Sequence, residues 1–356
     1  MEFIPPVSPA AAPYPYAYCS EQEALDRQIS FDIDPLESTG LTNVERRELR
    51  VHDPLKIVKK FYRSAAGEDM QSKYPPRNSD ELYSCAMYLH DLWRSNKDNA
   101  CNTYGFIIDR IRAIRKELVI ENCNLDINKV AIILDTIIRF YIQSWEDIAL
   151  CGLRGSGWFD EVLHERALSS CLASLISIDG DKRYISYIIY LNISHILRRE
   201  LVTQYAANNN YCMRFSTLSL YEFIKCYQYL RAPMVMKATK CICHLQQGNL
   251  DLVVQSLQTE SDVIICSLYT FHILPYIRMW RLLLLRHSIN LKAETTLMVV
   301  ELAHRLYMTK SAMELMLSHC SIAVNASADT ISTMDLKQTP VEDLLNSFLF
   351  VTSQGV

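Results

Sequence analysis

Glycine is scarce in this chain of 356 residues, with 9 in all, where average usage would give about 25. Little room is left for phosphate-cradling loops, glycine hinges or the tight turns that join strands. Helices joined by short connections remain as the favoured economy of the fold. Excess positive charge is also missing. Against 36 Lys and Arg stand 40 Asp and Glu, a net charge of −4. The whole molecule therefore exerts no pull on a polyanion, and any nucleic-acid contact has to come from a local patch. No long apolar run is free of charge and proline. The nearest, Ile264–Leu285, contains Pro275, Arg278 and Arg281, so no membrane span is expected. Met1–Ala12 has no basic residue ahead of its apolar part and is broken by Pro5, Pro6 and Pro9, which excludes a signal-peptide reading.

Catalytic motifs are equally absent: there is no nucleophile elbow, phosphate loop or paired-carboxylate arrangement. The one glycine-rich stretch, Gly152-Leu153-Arg154-Gly155-Ser156-Gly157, lacks the Lys-Ser/Thr ending of a phosphate loop and follows a helical pattern. It reads as a loop. Cys241-Ile242-Cys243-His244 has no second ligand pair at zinc spacing and reads as thiols on an apolar helix. The expectation is a protein without catalytic residues, metal or cofactor.

What is present is helix. Apolar residues make up 49% of the chain, enough for a sizeable core in about two to three domains of roughly 150 residues. The 12 cysteines are scattered through apolar runs, as at Cys171, Cys226 and Cys266. Reduced, buried thiols are used in this way, which points to cytosol or nucleus. Residues 1–18 are rich in Pro, Ala and Tyr and are expected to be extended or disordered. From about Leu41 to His287 amphipathic helices follow one another. In Val130–Trp145 the residues Val130, Ile133, Leu134, Ile137, Ile138, Tyr141 and Trp145 form one stripe, with Asp135 and Arg139 spaced for an i, i+4 pair opposite. Tyr104–Leu118 carries Tyr104, Ile107, Ile108, Ile111, Ile114 and Leu118 on one face. Phe159–Ile178, Tyr184–Tyr205, Thr217–Leu230 and Met234–Gln247 continue the series, and no strict repeat of tetratricopeptide length is visible.

The pattern changes after Ser288. Ala293–His304 and Lys310–His319, the latter capped by Thr309, read as short helices. Ile322–Val324 and Ile331–Met334 read as strands around an Asn325–Asp329 turn. Helix, helix and hairpin is the order of a winged helix. Its second helix offers one Lys, with Glu314, and no Arg, whereas a base-reading helix presents Arg, Lys, Asn or Gln. The fold class is therefore all-α: a solenoid of stacked, tetratricopeptide-like helical pairs followed by a small C-terminal winged-helix module. The expected divisions are an extended or disordered segment over 1–40, helical repeats over 41–287, the winged helix over 288–340 and a tail over 341–356.

Two basic clusters are the candidate binding residues. One is Arg110, Arg112 and Lys116; the other is Lys56, Lys59, Lys60 and Arg63. Either array has the charge to neutralise RNA phosphates, and either equally fits solvated helix faces. Arg115 differs: its helical angle places it beside Ile108 and Ile111, so a buried, paired guanidinium is expected there.

Three segments together resemble the Sac-three/GANP family. Asp53–Leu89 contains VKKFYRSAAG and then KYPPRNSDELYSCAMYL; Tyr104–Leu118 is YGFIIDRIRAIRKEL. The third is Arg139-Phe140-Tyr141, then Phe159-Asp160, Cys171-Leu172 with Leu175, and His195-Ile196-Leu197-Arg198. Cys19-Ser20-Glu21-Gln22-Glu23 followed by Arg27 is similar to the family's opening motif, with Tyr18 and Ser20 where the family has Met and Pro. The resemblance spans roughly residues 19–335. It implies structural roles for Arg115, Arg139, Phe140, Phe159 and Asp160. It also implies a non-enzymatic scaffold subunit that pairs with a PCI-domain, winged-helix partner and the small acidic Dss/Sem protein in nuclear mRNA export, with RNA contact through the basic patches. The implied location is nucleus, including the nuclear envelope and pore, and cytoplasm. The short members of the family imply an alternative, a centrosome duplication or spindle assembly factor built on the same fold.

Overall fold

The structure, a computed structural model, describes residues 18–44, 47–62, 74–96, 99–120, 125–151, 159–179, 182–206, 232–288, 296–340, 343–344, 347–348 and 351. Residues 1–17, Arg63, the glycine-rich stretch 152–157 and the expected helix Thr217–Leu230 lie outside the described residues. The chain divides into two compact units, Met1–Phe140 and Tyr141–Val356.

Unit 1 opens with helix α1, Glu21–Ile29, whose Ser20 N-cap accepts from the Glu23 N–H. The C-terminal end of α1 closes with two backbone bonds, Asp32 N to Arg27 O at 2.8 Å and Phe31 N to Gln28 O at 3.1 Å. This is a Schellman ending. It requires a left-handed residue, and Phe31 supplies it at φ 59°. Glycine meets that demand without strain, whereas a side chain there costs about 1–2 kcal/mol. A 3-10 turn, Pro35–Glu37, follows, with a capping box between Asp34 and Glu37. Strands β1, Ser38–Val44, and β2, Arg47–His52, then pair antiparallel with an irregularity between Ser38 and Gly40.

Over residues 18–40 these elements stand where an extended or disordered segment was expected, and the hairpin stands outside the Ile322–Val324 and Ile331–Met334 runs where strands were expected. Its signal is weak in the sequence because Glu45-Arg46, not Asn-Gly, separates the two strands, β1 is mostly polar and charged residues interrupt β2. Helices α2, Ser79–Ser95, and α3, Ala100–Ile120, complete the unit with the first part of α4, Ile127–Leu150. Asn78 and Glu81 form a capping box at the start of α2. Trp93 of α2 sits edge-on to Phe140 of α4 at 5.4 Å and to Tyr104 of α3 at 6.4 Å. The stripe foreseen on α4 is buried at Ile133, Leu134, Ile137 and Ile138.

Unit 2 is a helical stack, α5 (Glu161–Asp179), α6 (Lys182–Ala206), α7 (Pro233–Gln246) and α8 (Leu250–Gln258), in which successive helices pack on one another. On α5 the residues Leu168, Cys171, Leu172 and Leu175 are all buried, at the i, i+3, i+4, i+7 spacing of one face. Helix α9, Val263–Leu268, passes through a π-helical turn, Tyr269–Ile273, into α10, Leu274–Ser288. Val263–Arg286 is long and apolar enough to cross a membrane, yet 83% of its most apolar stretch is buried within the protein. Trp280 of this run donates its indole N–H to Leu197 O of α6 at 3.2 Å.

The winged helix comprises β3 (Thr296–Met298), α11 (Val299–Arg305), α12 (Lys310–His319), β4 (Val324–Asn325), β5 (Thr330–Ser332) and α13 (Thr333–Gln338). Its antiparallel sheet has the order β3-β5-β4. Thr309 caps α12 as expected, accepting from Ala312 N at 3.1 Å. Strand β3 falls where a helix from Ala293 was expected. Leu297 is set opposite Ile331, a pairing across the module that helical periodicity in the segment itself conceals. Arg278 and Arg281 of α10 tie the module down, the first donating to Tyr307 O at 2.7 Å, the second to Arg305 O and Asp251. The tail is not frayed throughout: Leu344, Phe348 and Val351 are fully buried, and Ser347 bonds the His319 ring at 2.8 Å.

His164 of α5 is buried with its Nε2 2.8 Å from Tyr141 O and Trp145 stacked edge-on at 4.8 Å. Burial lowers its pKa from 6.5 to about 3, against the pull of the carbonyl. The unfolded chain therefore binds a proton that the folded one refuses. Stability should fall as pH drops from 6.5 towards 3. Denaturant melts across that range should show a flatter profile for His164→Gln than for the wild type; parallel profiles would refute the assignment.

Candidate functional site: a buried ionic network in unit 1

Unit 1 brings charged residues from five separated segments together. On α1 the inward residues are Glu23, Ala24 and Arg27, all buried. The capping box of the 3-10 turn turns Glu37 inward. Beyond the hairpin, the chain runs beside Tyr18 through a parallel bridge to Val58, and Lys59 N donates to Tyr18 O at 3.0 Å. Helix α3 contributes Asp109, Arg110 and Glu117, and Arg77 enters just ahead of α2.

Glu37, 0% exposed, is the principal node. Its carboxylate accepts from both terminal nitrogens of Arg27, from Arg110 Nη2 at 3.0 Å and Nε at 3.3 Å, and from the Val58 N–H at 2.9 Å. Two guanidiniums around one carboxylate leave an excess positive charge. Asp109 offsets it, pairing with Arg110 Nη1 while accepting from Phe61 N at 3.2 Å. Arg27 spends its remaining N–H groups on the carbonyls of Asp32 and Val58. The Arg110 guanidinium also lies 4.5 Å above the Phe106 ring.

Glu117 is a second node. It takes Arg77 Nε at 2.8 Å and lies 2.5 Å from Lys59 Nζ. The Lys59 ammonium aims its N–H groups at the carbonyls of Tyr74 and Pro75, at 3.1 and 2.8 Å, so its contact with Glu117 is a charge contact. Arg77 Nη1 reaches Tyr18 O at 3.2 Å and Cys85 Sγ at 3.1 Å. Glu23 accepts from Lys60 N at 2.9 Å, and burial holds its carboxyl above the ordinary range against that bond and the nearby cations.

Chemically this is a clamp. The acids meet cations or backbone N–H groups already in place, and burial raises the thiols of Cys19 and Cys85 away from the reactive thiolate. A cavity of about 40 Å³ opens beside it between Lys59, Lys60, Lys116, Phe61, Tyr62 and Tyr74.

The structure redistributes the sequence candidates. Arg110, expected on a solvated or RNA-facing flank, is 4% exposed and committed to Glu37 and Asp109. Lys59 is nearly buried, and Lys60 pairs with Asp32 at 2.8 Å. Lys116 is half-buried, donating to Tyr62 O at 3.0 Å. Lys56 is half-exposed beside Asp53, and Arg112 is exposed. Arg115, expected to be buried, is half-buried; the buried guanidinium of α3 is Arg110, because Glu37 of the 3-10 turn meets it there, and helical periodicity alone does not register such a cover. Arg139 pairs with Asp135 at 2.8 Å, Phe140 fills the aromatic core of unit 1, Phe159 meets Trp145 at 6.0 Å, and Asp160 caps α5 through Leu163 N at 2.9 Å. Cys241 is buried, its thiol raised by burial to about 11, while Cys243 is exposed on the same helix. The residue that the sequence reading missed is Glu37. Its signal was local: Asp34-Pro35-Leu36-Glu37 has capping-box spacing.

The model of the SAC3/GANP family matches residues 18–326. The comparison with curated proteins gives no match. The match begins at Tyr18, so it takes in every member of the ionic network.

Removing one partner of a buried ion pair costs about 3–5 kcal/mol. Glu37→Gln and Arg110→Ala should each destabilise the protein by that order, whereas Arg112→Ala should stay within about 0.5 kcal/mol. Urea melts with a Glu37/Arg110 double-mutant cycle measure this. Equal small effects at Arg110 and Arg112 would refute the network.

Proposed function

This chain belongs to the SAC3/GANP family, whose members have a scaffold-like role in mRNA export, and from that premise we propose that it is a non-enzymatic scaffold subunit acting through its winged helix. The partner is a PCI-type protein with the small acidic Dss/Sem protein in the same complex, and the place of action is the nucleus, reaching the pore, and the cytoplasm. The observation that carries the reading is the chemistry of the winged helix. Its single α12 lysine, Lys310, is engaged by Asp329 at 2.9 Å and Glu314 at 3.7 Å. Meanwhile Met298 on the edge strand β3 and Val300 beside it are 52% and 49% exposed. A module whose α12 cation is committed and whose edge strand displays apolar groups suits a protein partner better than a nucleic acid.

RNA contact, on this reading, is secondary. The network has withdrawn Arg110 and Lys59, and among the described residues of the two basic clusters Arg112 and Lys56 remain the exposed ones. Each phosphate contact contributes about −0.7 to the slope of log affinity against log salt for a single strand. About two contacts then give a slope near −1.4 for the isolated chain by the same rule.

Two measurements test the proposal. Affinity purification of the tagged chain should recover a PCI-type protein, and Met298→Asp with Val300→Asp should abolish recovery without lowering the melting temperature. Recovery of tubulin-associated proteins in its place would turn the reading to the centrosome and spindle alternative. Salt titration of RNA binding should give the shallow slope, and Arg112→Ala should reduce it further; steep, sequence-selective binding by the isolated chain would contradict a scaffold role.

A further inference from the structure

The outward face of α1 carries exposed apolar side chains. Leu25 and Ile29 stand one helical turn apart and are 40% and 74% exposed, and Phe31 beyond the helix end is 47% exposed. Their inward neighbours explain why these residues are not needed for the core. Glu23, Ala24 and Arg27 already bind the helix to Glu37, Val58 and Lys60. An apolar stripe on a helix fixed from behind is a rigid platform.

Phe31 adds an independent observation. It occupies the left-handed position of the Schellman ending at φ 59°, where glycine fits without strain and an aromatic residue does not. Folding gains from Gly at that position, yet the chain carries a half-exposed ring there.

The charge around the stripe selects its occupant. From Ser20 to Leu36 the only cation is Arg27, which is buried. The acids Glu21, Asp26, Asp32 and Asp34 are exposed or partly exposed; Asp26 accepts from the Tyr74 hydroxyl at 2.8 Å and from Gln22 Nε2 at 3.0 Å, and Asp32 pairs with Lys60. The exposed Arg50 of β2 reaches Ile33 O at 3.5 Å, so acids still outnumber the cations at this face. An anionic membrane or RNA would be repelled. A second copy docking isologously would set acid against acid. We infer that this face binds an amphipathic helix of another protein whose apolar residues, spaced i, i+3, i+4 and i+7, are flanked by Lys or Arg.

The test uses the full chain and a labelled synthetic helix with leucines at that spacing and lysines on both flanks. Two controls share its length: one scatters the leucines around the helix, the other replaces Lys by Glu. Fluorescence anisotropy should show binding of the first peptide alone. Ile29→Ser and Phe31→Gly should each weaken it at least tenfold, and Glu21→Lys should weaken it severalfold. Phe31→Gly should melt at or above the wild-type temperature, which separates loss of docking from loss of folding, and Met298→Asp should bind as the wild type does. The inference is overturned if the first peptide does not bind, if the scattered peptide binds equally, if Ile29→Ser and Phe31→Gly retain affinity, or if light scattering shows a dimer that Ile29→Ser dissolves.

Discussion

A carboxylate with no access to water has to be met by charge, and Glu37 is where unit 1 meets that requirement. Its two oxygens hold Arg27 from α1, Arg110 from α3 and the backbone N–H of Val58. The three contacts span 10, 73 and 21 residues of sequence. No element in this set is a stable unit alone. A nine-residue helix is too short to persist in water, and an isolated two-stranded hairpin is marginal. The desolvated charge makes their association all or none, because leaving any one guanidinium out exposes the others to a site that no longer balances.

This explains why the basic residues of α3 carry so little outward charge. A run such as Asp109-Arg110-Ile111-Arg112 looks like a phosphate-binding strip when laid out in sequence. Folded, alternate residues part company: Arg110 turns to Glu37, and Arg112 turns to solvent. The exterior displays apolar groups: Leu25 and Ile29 on α1 and Met298 on β3 are exposed.

How much of this could be read beforehand divides by sequence distance. The long helices were legible because 3.6-residue periodicity is a local property, and Trp145, Tyr141 and Ile138 are buried where that period puts them. Thr309 as a cap was legible for the same reason. The β1–β2 hairpin was not, since Glu45-Arg46 stands between its strands in place of Asn-Gly, β1 is mostly polar and β2 is interrupted by charge. Strand β3 was hidden because its partner, β5, lies more than thirty residues on. The ionic network was half legible. Cys19, Glu23, Arg27, Arg77 and Arg110 all stood within motifs noted for their resemblance to a family, but a motif records that residues recur and not what they touch. Choosing Arg115 over Arg110 as the buried guanidinium followed from counting one apolar stripe on α3, when the helix is covered on two sides.

A core of Leu and Ile would stabilise unit 1 at least as well as this network, since buried ion pairs are often matched or exceeded by apolar replacements. What the ions add is register. An apolar face tolerates a slide of one turn with modest loss, whereas Arg27 displaced by one turn leaves Glu37 short of a partner and loses the Asp32 and Val58 carbonyls together. Fixing α1 in register also fixes the direction in which Leu25 and Ile29 face. The conformational strain at Phe31 is held by the same means: the Asp32 carbonyl that follows it is locked by two N–H groups of Arg27. The buried charges of α1 and its exposed apolar residues are therefore two sides of one helix, the former fixing the direction in which the latter face.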